Sequence, residues 1–349
     1  MRTVVAHAAH DLRLEERPDE TTPGEGQVLV RVAAGGICGS DLHYYHNGGF
    51  GTVRLREPMI LGHEASGIVA ALGAGVTGLA TGDLVAINPS LPCGQCEECQ
   101  RGLRNHCNDM LFRGSAMRFP HAQGLFREAM IVPAHLLHPA GPGVGAGLAA
   151  LAEPFAVCLH AVKQAGSLLG KTILVSGCGP IGCLTIAAAR LAGAQRVIAC
   201  DVVAEPLKIA ERLGADEIVI NGPDATGLDR YKAGKGRIDI AFDCSGHPAA
   251  VATAIECLRP RGMLVAVGLG GAMPFPLPSV VTKELVVVGS FRFDAEFGEA
   301  VGLISSRRVD LSPLISHTYS MDRAIEAFDL AGDRNRAMKV QLNFSATLP

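Results

Sequence analysis

The sequence contains no tryptophan, and all aromatic residues together make up only 5% of its 349 positions. Charged residues are also scarce, at 19%, and the formal net charge is −3. The chain has neither a strong positive charge nor a run of basic residues interleaved with aromatic ones, so it lacks an electrostatic basis for nucleic-acid binding. We therefore expect no nucleic-acid partner.

Long hydrophobic segments are also lacking. The most apolar stretch, residues 173–192, is interrupted by the turn sequence Ser176–Pro180 and by Arg190. This pattern favours a strand, a turn and a helix over a membrane span. The N-terminus leads directly into a strand-like stretch and lacks the apolar core of a signal peptide. These features predict a cytoplasmic protein with no membrane partner.

Cysteine is present in an odd number, eleven, which argues against a framework of paired disulfides. Some of these cysteines, such as Cys200 and Cys244, stand alone in apolar surroundings. The pattern instead indicates metal ligands together with thiols buried in the core. A reducing compartment fits that interpretation.

The predicted fold class is α/β with two domains, because 349 residues can form two cores of ordinary size. Residues 1–145 read as short strands between glycine-rich turns, which indicates a β-rich, barrel-type domain. After the linker Gly141–Gly145, residues 146–289 alternate apolar strands with helices, as in a doubly wound parallel sheet. We expect the remaining residues, 290–349, to pack on the first domain.

Several elements can be assigned from hydrophobic periodicity and turn residues. In the first domain we expect strands at 27–32 and 65–69. The strands expected in the second domain are 172–176, 196–201, 217–220, 238–243, 263–267 and 285–289. Helices are expected at 181–191, from Glu205, from about Asp294 and after Ser320, with a turn region at 268–278 and a last strand at 338–342.

Four cysteines form the strongest local pattern in the sequence. Cys93, Cys96 and Cys99 are each separated by two residues, and Cys107 follows after seven. One loop with this spacing can surround a tetrahedral zinc ion with four sulfur ligands. The alternative is a cysteine-rich surface loop without metal. A site closed by four thiolates is structural, so it does not by itself indicate a reaction.

A dinucleotide-binding turn is predicted between a strand and a helix. Gly177, Gly179 and Gly182 fit the pattern G-x-G-x-x-G, and Pro180 and Ile181 would open the helix. Asp201 ends the next strand, where its carboxylate could accept hydrogen bonds from the adenosine ribose. The same charge would repel the 2′-phosphate of NADP, and Val202 and Val203 supply no arginine beside it. NAD is therefore favoured over NADP as the cofactor. The alternative is a glycine turn chosen for packing.

Four further residues have the chemistry of a second metal site, although they are scattered singly along the chain. They are Cys38, His63, Glu64 and Glu153. A thiolate, an imidazole and a carboxylate can bind zinc and leave one position open for a substrate oxygen. Spacing alone does not show that they converge, and each could serve a merely structural purpose.

Together these motifs resemble the zinc-dependent medium-chain dehydrogenase/reductases, and within them the polyol branch of the sorbitol dehydrogenases. The segments that carry the resemblance are Gly36–His43, Gly62–Glu64, the loop that begins at Cys93, and Ala152–Pro154. The resemblance spans nearly the whole chain. It implies a GroES-like catalytic domain built from both chain ends around a Rossmann domain, and a homodimer or homotetramer.

The resemblance also implies roles for individual residues. Cys38 and His63 would bind a catalytic zinc, with Glu64 or Glu153 completing the shell directly or through water. Ser40 and His43 would relay the alcohol proton to solvent, while Asp41 would orient His63. Some sorbitol dehydrogenases lack the four structural cysteines. All four are present here, so we expect one structural and one catalytic zinc.

The substrate would be a secondary alcohol whose hydroxyl pKa the zinc lowers before hydride passes to the nicotinamide. Our first expectation is a sugar acid, L-idonate, oxidised to 5-dehydro-D-gluconate. Its carboxylate calls for an arginine, and Arg292 and then Arg118 are the candidates. Tyr44 and Glu153 could line the same pocket, whereas Phe293 replaces a tyrosine common in the polyol enzymes. The alternatives are a neutral polyol such as sorbitol or xylitol and, more remotely, a non-catalytic nucleotide or redox sensor.

Overall fold

A computed structural model describes residues 1–222 and 225–344. Its strands are β1 (Arg2–Ala8), β2 (Asp11–Glu16), β3 (Gln27–Gly36), β4 (Gly49–Phe50), β5 (Val53–Arg54), β6 (Met59–Ile60), β7 (Glu64–Leu72), β8 (Leu84–Ile87), β9 (Ser90–Leu91), β10 (Leu111–Phe112), β11 (Ala129–Pro133), β12 (Leu137–Pro139), β13 (Thr172–Ser176), β14 (Arg196–Asp201), β15 (Glu217–Ile220), β16 (Ile238–Asp243), β17 (Leu258–Ala266), β18 (Val286–Gly289), β19 (Ile315–Ser320) and β20 (Lys339–Asn343).

The α-helices are α1 (Gly39–Asn47), α2 (Glu97–Gln100), α3 (Ala146–Ala150), α4 (Ala152–Gln164), α5 (Pro180–Leu191), α6 (Ala204–Arg212), α7 (Asp229–Lys232), α8 (Pro248–Cys257), α9 (Leu277–Thr282), α10 (Glu296–Ser305) and α11 (Ala324–Ala331). Short 3-10 helices span Arg104–His106, Ala134–Leu136, Ser312–Leu314 and Met321–Arg323. No helix in the described part of the chain combines the length and the hydrophobicity needed to cross a membrane.

A parallel six-stranded sheet forms the second domain, in the order β15-β14-β13-β16-β17-β18. Successive strands run outward from β13 in both directions, so the connections change direction between β13 and β16. In doubly wound sheets, ligands bind at the carboxyl ends of the strands beside such a switch point. The glycine turn that follows β13 therefore lies where a nucleotide is expected to bind.

The central strands of this sheet, β13 and β16, are buried on both faces, as is typical of parallel sheets. Ile173 and Val175 on β13 join one hydrophobic cluster, which includes residues of α4, α5 and α10, while Leu174 joins another that includes residues of α8. The alternation follows from the two-residue period of a strand. It fixes the register of β13 and thereby the position of the turn at its end.

A mixed sheet joins the two ends of the chain. Its strand order is β12-β8-β7-β3-β20-β19, and β11 also pairs with β3. β20 pairs antiparallel with β3, so that Gln341 lies opposite Gly36, and β3 pairs antiparallel with β7, so that Gly36 lies opposite Glu64. This arrangement brings the C-terminal strand alongside the segments that carry Cys38 and His63.

The predicted α/β fold class is confirmed, and most predicted elements agree with the structure within one or two residues. α10 begins at Glu296, two residues after the predicted start, and the amide of Asp294 donates to the Glu296 carboxylate. Four predictions differ by more than that. β3 ends four residues later than predicted, and β7 ends three residues later. β17 begins five residues earlier than predicted because an irregular register with β16 extends the pairing back to Leu258. The predicted turn region at 268–278 is entered by the start of α9.

The predicted domain boundaries after residues 145 and 289 stay predictions. Residues 345–349 of the predicted C-terminal part lie outside the described residues.

Candidate active site

The sulfur atoms of the four-cysteine loop lie close together. The Sγ atoms of Cys93, Cys96, Cys99 and Cys107 are all within 4.8 Å of one another. The backbone amide of Cys93 donates to Cys107 Sγ at 3.2 Å, and the amide of Asn108 donates to Cys96 Sγ at 3.5 Å. The Asn108 amide helps to lower the pKa of Cys96 to about 6, whereas burial raises that of Cys99 to about 12. Four crowded sulfurs with amide donors fit a zinc ion, which binds them as thiolates.

A second cluster contains Cys38, His63 and Glu64, whose ligand atoms also lie within 4.8 Å of one another. Cys38 caps the N-terminus of α1, and His63 and Glu64 lie where β7 begins. A side chain at Gly36 would come within 2.1 Å of a Glu64 carboxylate oxygen, so glycine leaves the room that this carboxylate needs. The family resemblance, and not the spacing, implied that Cys38 and His63 converge with Glu64 or Glu153, and the structure brings Cys38, His63 and Glu64 together.

Asp41 is hydrogen-bonded to the segments that carry the residues of this cluster. Its carboxylate is fully buried and accepts hydrogen bonds from the backbone amides of Cys38 at 3.0 Å and Gly62 at 3.1 Å. Asp41 Oδ1 also lies 3.7 Å from His63 Nδ1, a buried atom without a hydrogen-bond partner in the described residues. Asp41 thus holds both ligand-bearing segments and lies beside Nδ1 of the His63 imidazole.

The electrostatics of the cluster call for a cation. Burial alone would lower the pKa of His63, but the charges of Asp41 and Cys38 raise it well above its ordinary value. Burial raises the pKa of the Asp41 carboxyl, and the nearby Glu64 raises it further. A buried group of anionic ligands with one imidazole is a donor set that zinc stabilises. The residues present therefore fit a catalytic zinc.

Lys339 is a member of the site that sequence reasoning missed. Its Nζ donates to both carboxylate oxygens of Glu64 at 2.8 Å and to the backbone oxygen of Ile37 at 3.1 Å. Both side chains are almost completely buried. Burial would lower the pKa of Lys339, but the charges of Glu64 and Cys38 raise it above its ordinary value. The local pattern gave no signal, because Lys339 alternates with Val340 and Leu342 in the same register as Gln341 and Asn343, which predicts a lysine that faces solvent.

Glu153 lies near this cluster but does not belong to the group whose ligand atoms are within 4.8 Å. It occupies the first turn of α4 and is buried. Burial and the charge of Glu64 raise its pKa to about 7, against the opposing effects of His63, Lys339 and Arg292. Of the two glutamates predicted as zinc ligands, only Glu64 reaches the Cys38–His63 pair in this structure.

Ser40 and His43 lie on α1, directly after Cys38. Residues three apart on a helix share one face, so these two side chains are neighbours. Ser40 is half-buried and His43 is exposed, with its ring 5.8 Å from that of Phe50. The relay role of these two residues stays a prediction.

Arg292 is held by aromatic rings. Its guanidinium carbon lies 4.2 Å from the centre of the Phe112 ring and 4.9 Å from that of Phe291. Burial lowers its pKa, while the charges of Glu153 and Tyr44 act in the opposite direction. Within the described residues, Arg292 forms no ion pair with a carboxylate. Its positive charge therefore remains available near the metal cluster.

The other predicted pocket residues differ from Arg292. Arg292 and Arg118 both line one cleft, together with Phe112. Unlike Arg292, Arg118 forms an ion pair with Asp109, at 3.5 Å. The Tyr44 ring is buried, and its hydroxyl accepts a hydrogen bond from the amide of Ala116, which favours a packing role. Phe293 is also buried, with its ring 5.6 Å from that of Phe297, and it does not line this cleft.

The glycine turn has the geometry expected of a cofactor site. Gly177 has a φ of +86°, and a side chain at Gly182 would meet the Gly177 carbonyl oxygen at 1.8 Å. Gly179 caps α5, and a side chain there would meet nothing within 4 Å. Pro180 and Ile181 form the first turn of that helix. Open space at a helix N-terminus fits the pyrophosphate of a dinucleotide.

Asp201 lies beside this turn, at the end of β14. Its carboxylate accepts hydrogen bonds from the backbone amides of Cys178 at 2.6 Å and Val203 at 3.0 Å. Arg334 Nη2 also donates to both of its oxygens, at 3.0 and 3.2 Å. Val202 and Val203 supply no arginine, as noted from the sequence, but the fold brings Arg334 to Asp201 from 133 positions away. No local signal in the sequence could have indicated it.

Comparisons with known proteins support this description. Residues 24–142 match the family model of the alcohol dehydrogenase GroES-like domain, and residues 180–306 match that of zinc-binding dehydrogenases. The chain is similar to L-idonate 5-dehydrogenase (NAD(P)+) of Escherichia coli K12, with 43% identity over 318 residues that cover 91% of this chain and 92% of that protein. It is also 36% identical to the sorbitol dehydrogenase of Gallus gallus, over 99% of this chain and 96% of the relative.

Among solved structures, the chain is similar to the crystal structure of L-idonate 5-dehydrogenase from Escherichia coli. The TM-score is 0.93 and the identity is 41%, with 98% of this chain and 97% of the other covered. The GroES-like plus Rossmann architecture expected from the sequence is thereby confirmed.

We expect Lys339→Met to destabilise the protein strongly. The change leaves the Glu64 carboxylate buried without its counter-charge, which costs about 3–5 kcal/mol of unfolding free energy. The matched control is Lys283→Met, because Lys283 donates to the backbone oxygens of Ile255, Glu256 and Leu258 and forms no ion pair among the described residues. Urea denaturation of both variants measures the difference. An equal loss in the two variants would contradict the importance of the buried pair.

Proposed function

The chain belongs to the zinc-dependent medium-chain dehydrogenase/reductases, and from that premise we propose that it oxidises a secondary alcohol of a sugar acid by hydride transfer to NAD. L-Idonate is the proposed substrate and 5-dehydro-D-gluconate the product. The single observation that carries the sugar-acid assignment is Arg292, a cation without a carboxylate partner among the described residues, close enough to Glu153 for the two charges to affect each other. The similarity to an L-idonate 5-dehydrogenase supports the same substrate class.

The proposed catalytic zinc would be held by Cys38 and His63, with Glu64 or Glu153 completing the ligand set. When bound, zinc supplies Lewis-acid chemistry that lowers the pKa of an alcohol, and the nicotinamide accepts the hydride. Asp41 would orient His63 through Nδ1, from which its carboxylate lies 3.7 Å away. Lys339 donates one hydrogen bond to each oxygen of Glu64, so the carboxylate keeps lone pairs that could bind a metal while the ion pair stays in place.

Ser40 and His43 are proposed to move the proton of the alcohol outward. The Ser40 hydroxyl would accept the alcohol proton as it gives its own proton to the His43 imidazole, and the exposed imidazole would then release a proton to solvent. Glu153, whose pKa is about 7, is poised to hold or release a proton at neutral pH in the same region. The residues proposed for these steps lie on two helices, Ser40 and His43 on α1 and Glu153 on α4.

Two other functions can be weighed against this proposal. A neutral polyol dehydrogenase would use the same metal and cofactor sites, and the similarity to a sorbitol dehydrogenase favours it as the second candidate. A non-catalytic sensor has little support, because Cys38, His63 and Glu64 converge as an open metal site would require. A cytoplasmic location remains part of the proposal, since both metal clusters need reduced thiols.

We expect one zinc ion in each cluster, with different consequences when each is lost. Cys38→Ser should lose about one zinc equivalent and all turnover while still folding and binding NADH. Cys93→Ser should lose the other zinc and lower the thermal unfolding temperature, because that site is structural. Metal analysis together with NADH titration measures both effects. The control Cys257→Ser changes a buried cysteine outside both clusters and should keep both ions. A Cys38→Ser variant with full zinc content would contradict the assignment.

For the substrate, we expect a preference for L-idonate over L-iditol, in which CH2OH replaces the carboxylate. Arg292→Met should lower kcat/KM for L-idonate by about tenfold to a hundredfold, the equivalent of losing a charged hydrogen bond of about 1.5–3 kcal/mol. Turnover of L-iditol should change much less. Arg118→Met is the control, since Arg118 pairs with Asp109. Equal effects on both substrates, or no preference in the wild-type protein, would favour the neutral-polyol alternative.

We also propose that two copies associate through β18. This strand ends the six-stranded sheet, and its Val286 and Val287 are exposed, as are Leu277 and Val281 on the adjacent helix α9. An uncovered apolar edge strand promotes association with another strand. A two-fold axis would pair β18 of one copy with β18 of the other and continue the sheet.

This association predicts that Val287→Asp converts the protein to monomers, because a charge at the centre of the paired edge would be buried without a partner. The control is Ile218→Asp on β15, the opposite edge of the same sheet, where the side chain is similarly exposed. Light scattering after size-exclusion chromatography gives the mass of each variant. A wild-type monomer, or a dimer that Val287→Asp leaves intact, would contradict this interface.

A further inference from the structure

Arg334 links two distant parts of the chain at the cofactor site. It lies between α11 and β20, in the part of the chain whose strands join the mixed sheet, whereas Asp201 ends β14 in the parallel sheet. The Asp201 side chain is only 1% exposed, but that of Arg334 is 55% exposed. The carboxylate is therefore fixed and the guanidinium has room to turn. Arg334 also lines an open cleft with Val203 and His46.

The proposed function places the adenosine ribose at Asp201. The Asp201 carboxylate already accepts hydrogen bonds from two backbone amides and from the Arg334 guanidinium. A ribose that hydrogen-bonds to Asp201 must take the position of one of these donors, and the exposed arginine is the one that can move. A guanidinium carries five N–H donors, so Arg334 can keep contact with Asp201 while it turns toward a group on the ribose.

We propose that Arg334 is a specificity-determining residue that accepts the 2′-phosphate of NADP and thereby makes the preference for NAD moderate rather than strict. Asp201 alone repels a 2′-phosphate, but Arg334 sits on that carboxylate and supplies a compensating charge. A planar guanidinium binds phosphate oxygens in pairs. This inference rests on the proposed function, because it requires the dinucleotide to bind with its ribose at Asp201.

Neighbouring cations are less suited to this role. Lys208, on the helix that follows Asp201, pairs with Glu205 of the same helix at 2.6 Å. Arg336, two residues beyond Arg334, is 72% exposed and lies 4.0 Å from Asp333. Arg334 is the cation that contacts Asp201 within the described residues. Arg336 is therefore a matched control of equal charge in the same loop.

The test compares the dissociation constants of NADH and NADPH for the wild-type protein and for Arg334→Ala, Arg334→Lys and Arg336→Ala. Fluorescence of the reduced nicotinamide reports binding, and the chain contributes no tryptophan emission. We expect Arg334→Ala to weaken NADPH by about tenfold or more, as for loss of a charged hydrogen bond, and to change NADH by less than about threefold. Arg334→Lys should retain part of the NADPH affinity, and Arg336→Ala should leave both constants unchanged.

Several results would overturn the inference. These are an unchanged NADPH constant in Arg334→Ala, an equal change for both dinucleotides, an equal effect of Arg336→Ala, or a wild-type protein that binds NADH but not NADPH. In each of these cases NADH binding by the wild-type protein leaves the proposed function standing. A wild-type protein that binds neither dinucleotide contradicts the proposed function as well.

Discussion

The buried ion pair between Glu64 and Lys339 is the constraint on which the rest of the site depends. A carboxylate and an ammonium removed from water are stable only when each satisfies the other, and here the lysine bonds both carboxylate oxygens. The pair ties β20 to the start of β7, where His63 and Glu64 lie. Lys339 also adds a fixed positive charge to a pocket that contains several acidic groups and the Cys38 thiol. A metal ion bound at Glu64 would share this carboxylate with Lys339.

The segment just before β20 also supplies a cation at the predicted cofactor site. Arg334 and Lys339 are only five residues apart. Arg334 contacts Asp201 beside the glycine turn, whereas Lys339 contacts Glu64 in the metal cluster. A short stretch near the C-terminus thus supplies a cation to each of the two sites where negative charge is buried. The two cations differ in exposure, because the Lys339 side chain is only 3% exposed and that of Arg334 is 55% exposed.

Much of the architecture could be predicted from the sequence because it depends on local patterns. The period of β13 and the glycines after it specify a strand, a turn and a helix, and the cysteine spacing specifies a compact loop. Convergence of Cys38 with His63 required the family resemblance, since no local spacing links them. Lys339 and Arg334 could not be placed at all, because their partners are set by the pairing of β20 with β3 and by the packing of one domain against the other. Tyr44 was predicted to line the substrate pocket, but the structure shows that its hydroxyl is already hydrogen-bonded within the fold.

The most direct test of the central claim is the initial rate of NADH formation from L-idonate, measured before chelation, after chelation and after zinc is restored, with D-gluconate, sorbitol and xylitol in parallel. The proposed function predicts a rate that is highest with L-idonate, is lost when zinc is removed and returns with zinc. A rate that survives complete zinc removal would contradict the metal assignment, and a higher rate with sorbitol or xylitol would contradict the sugar-acid assignment.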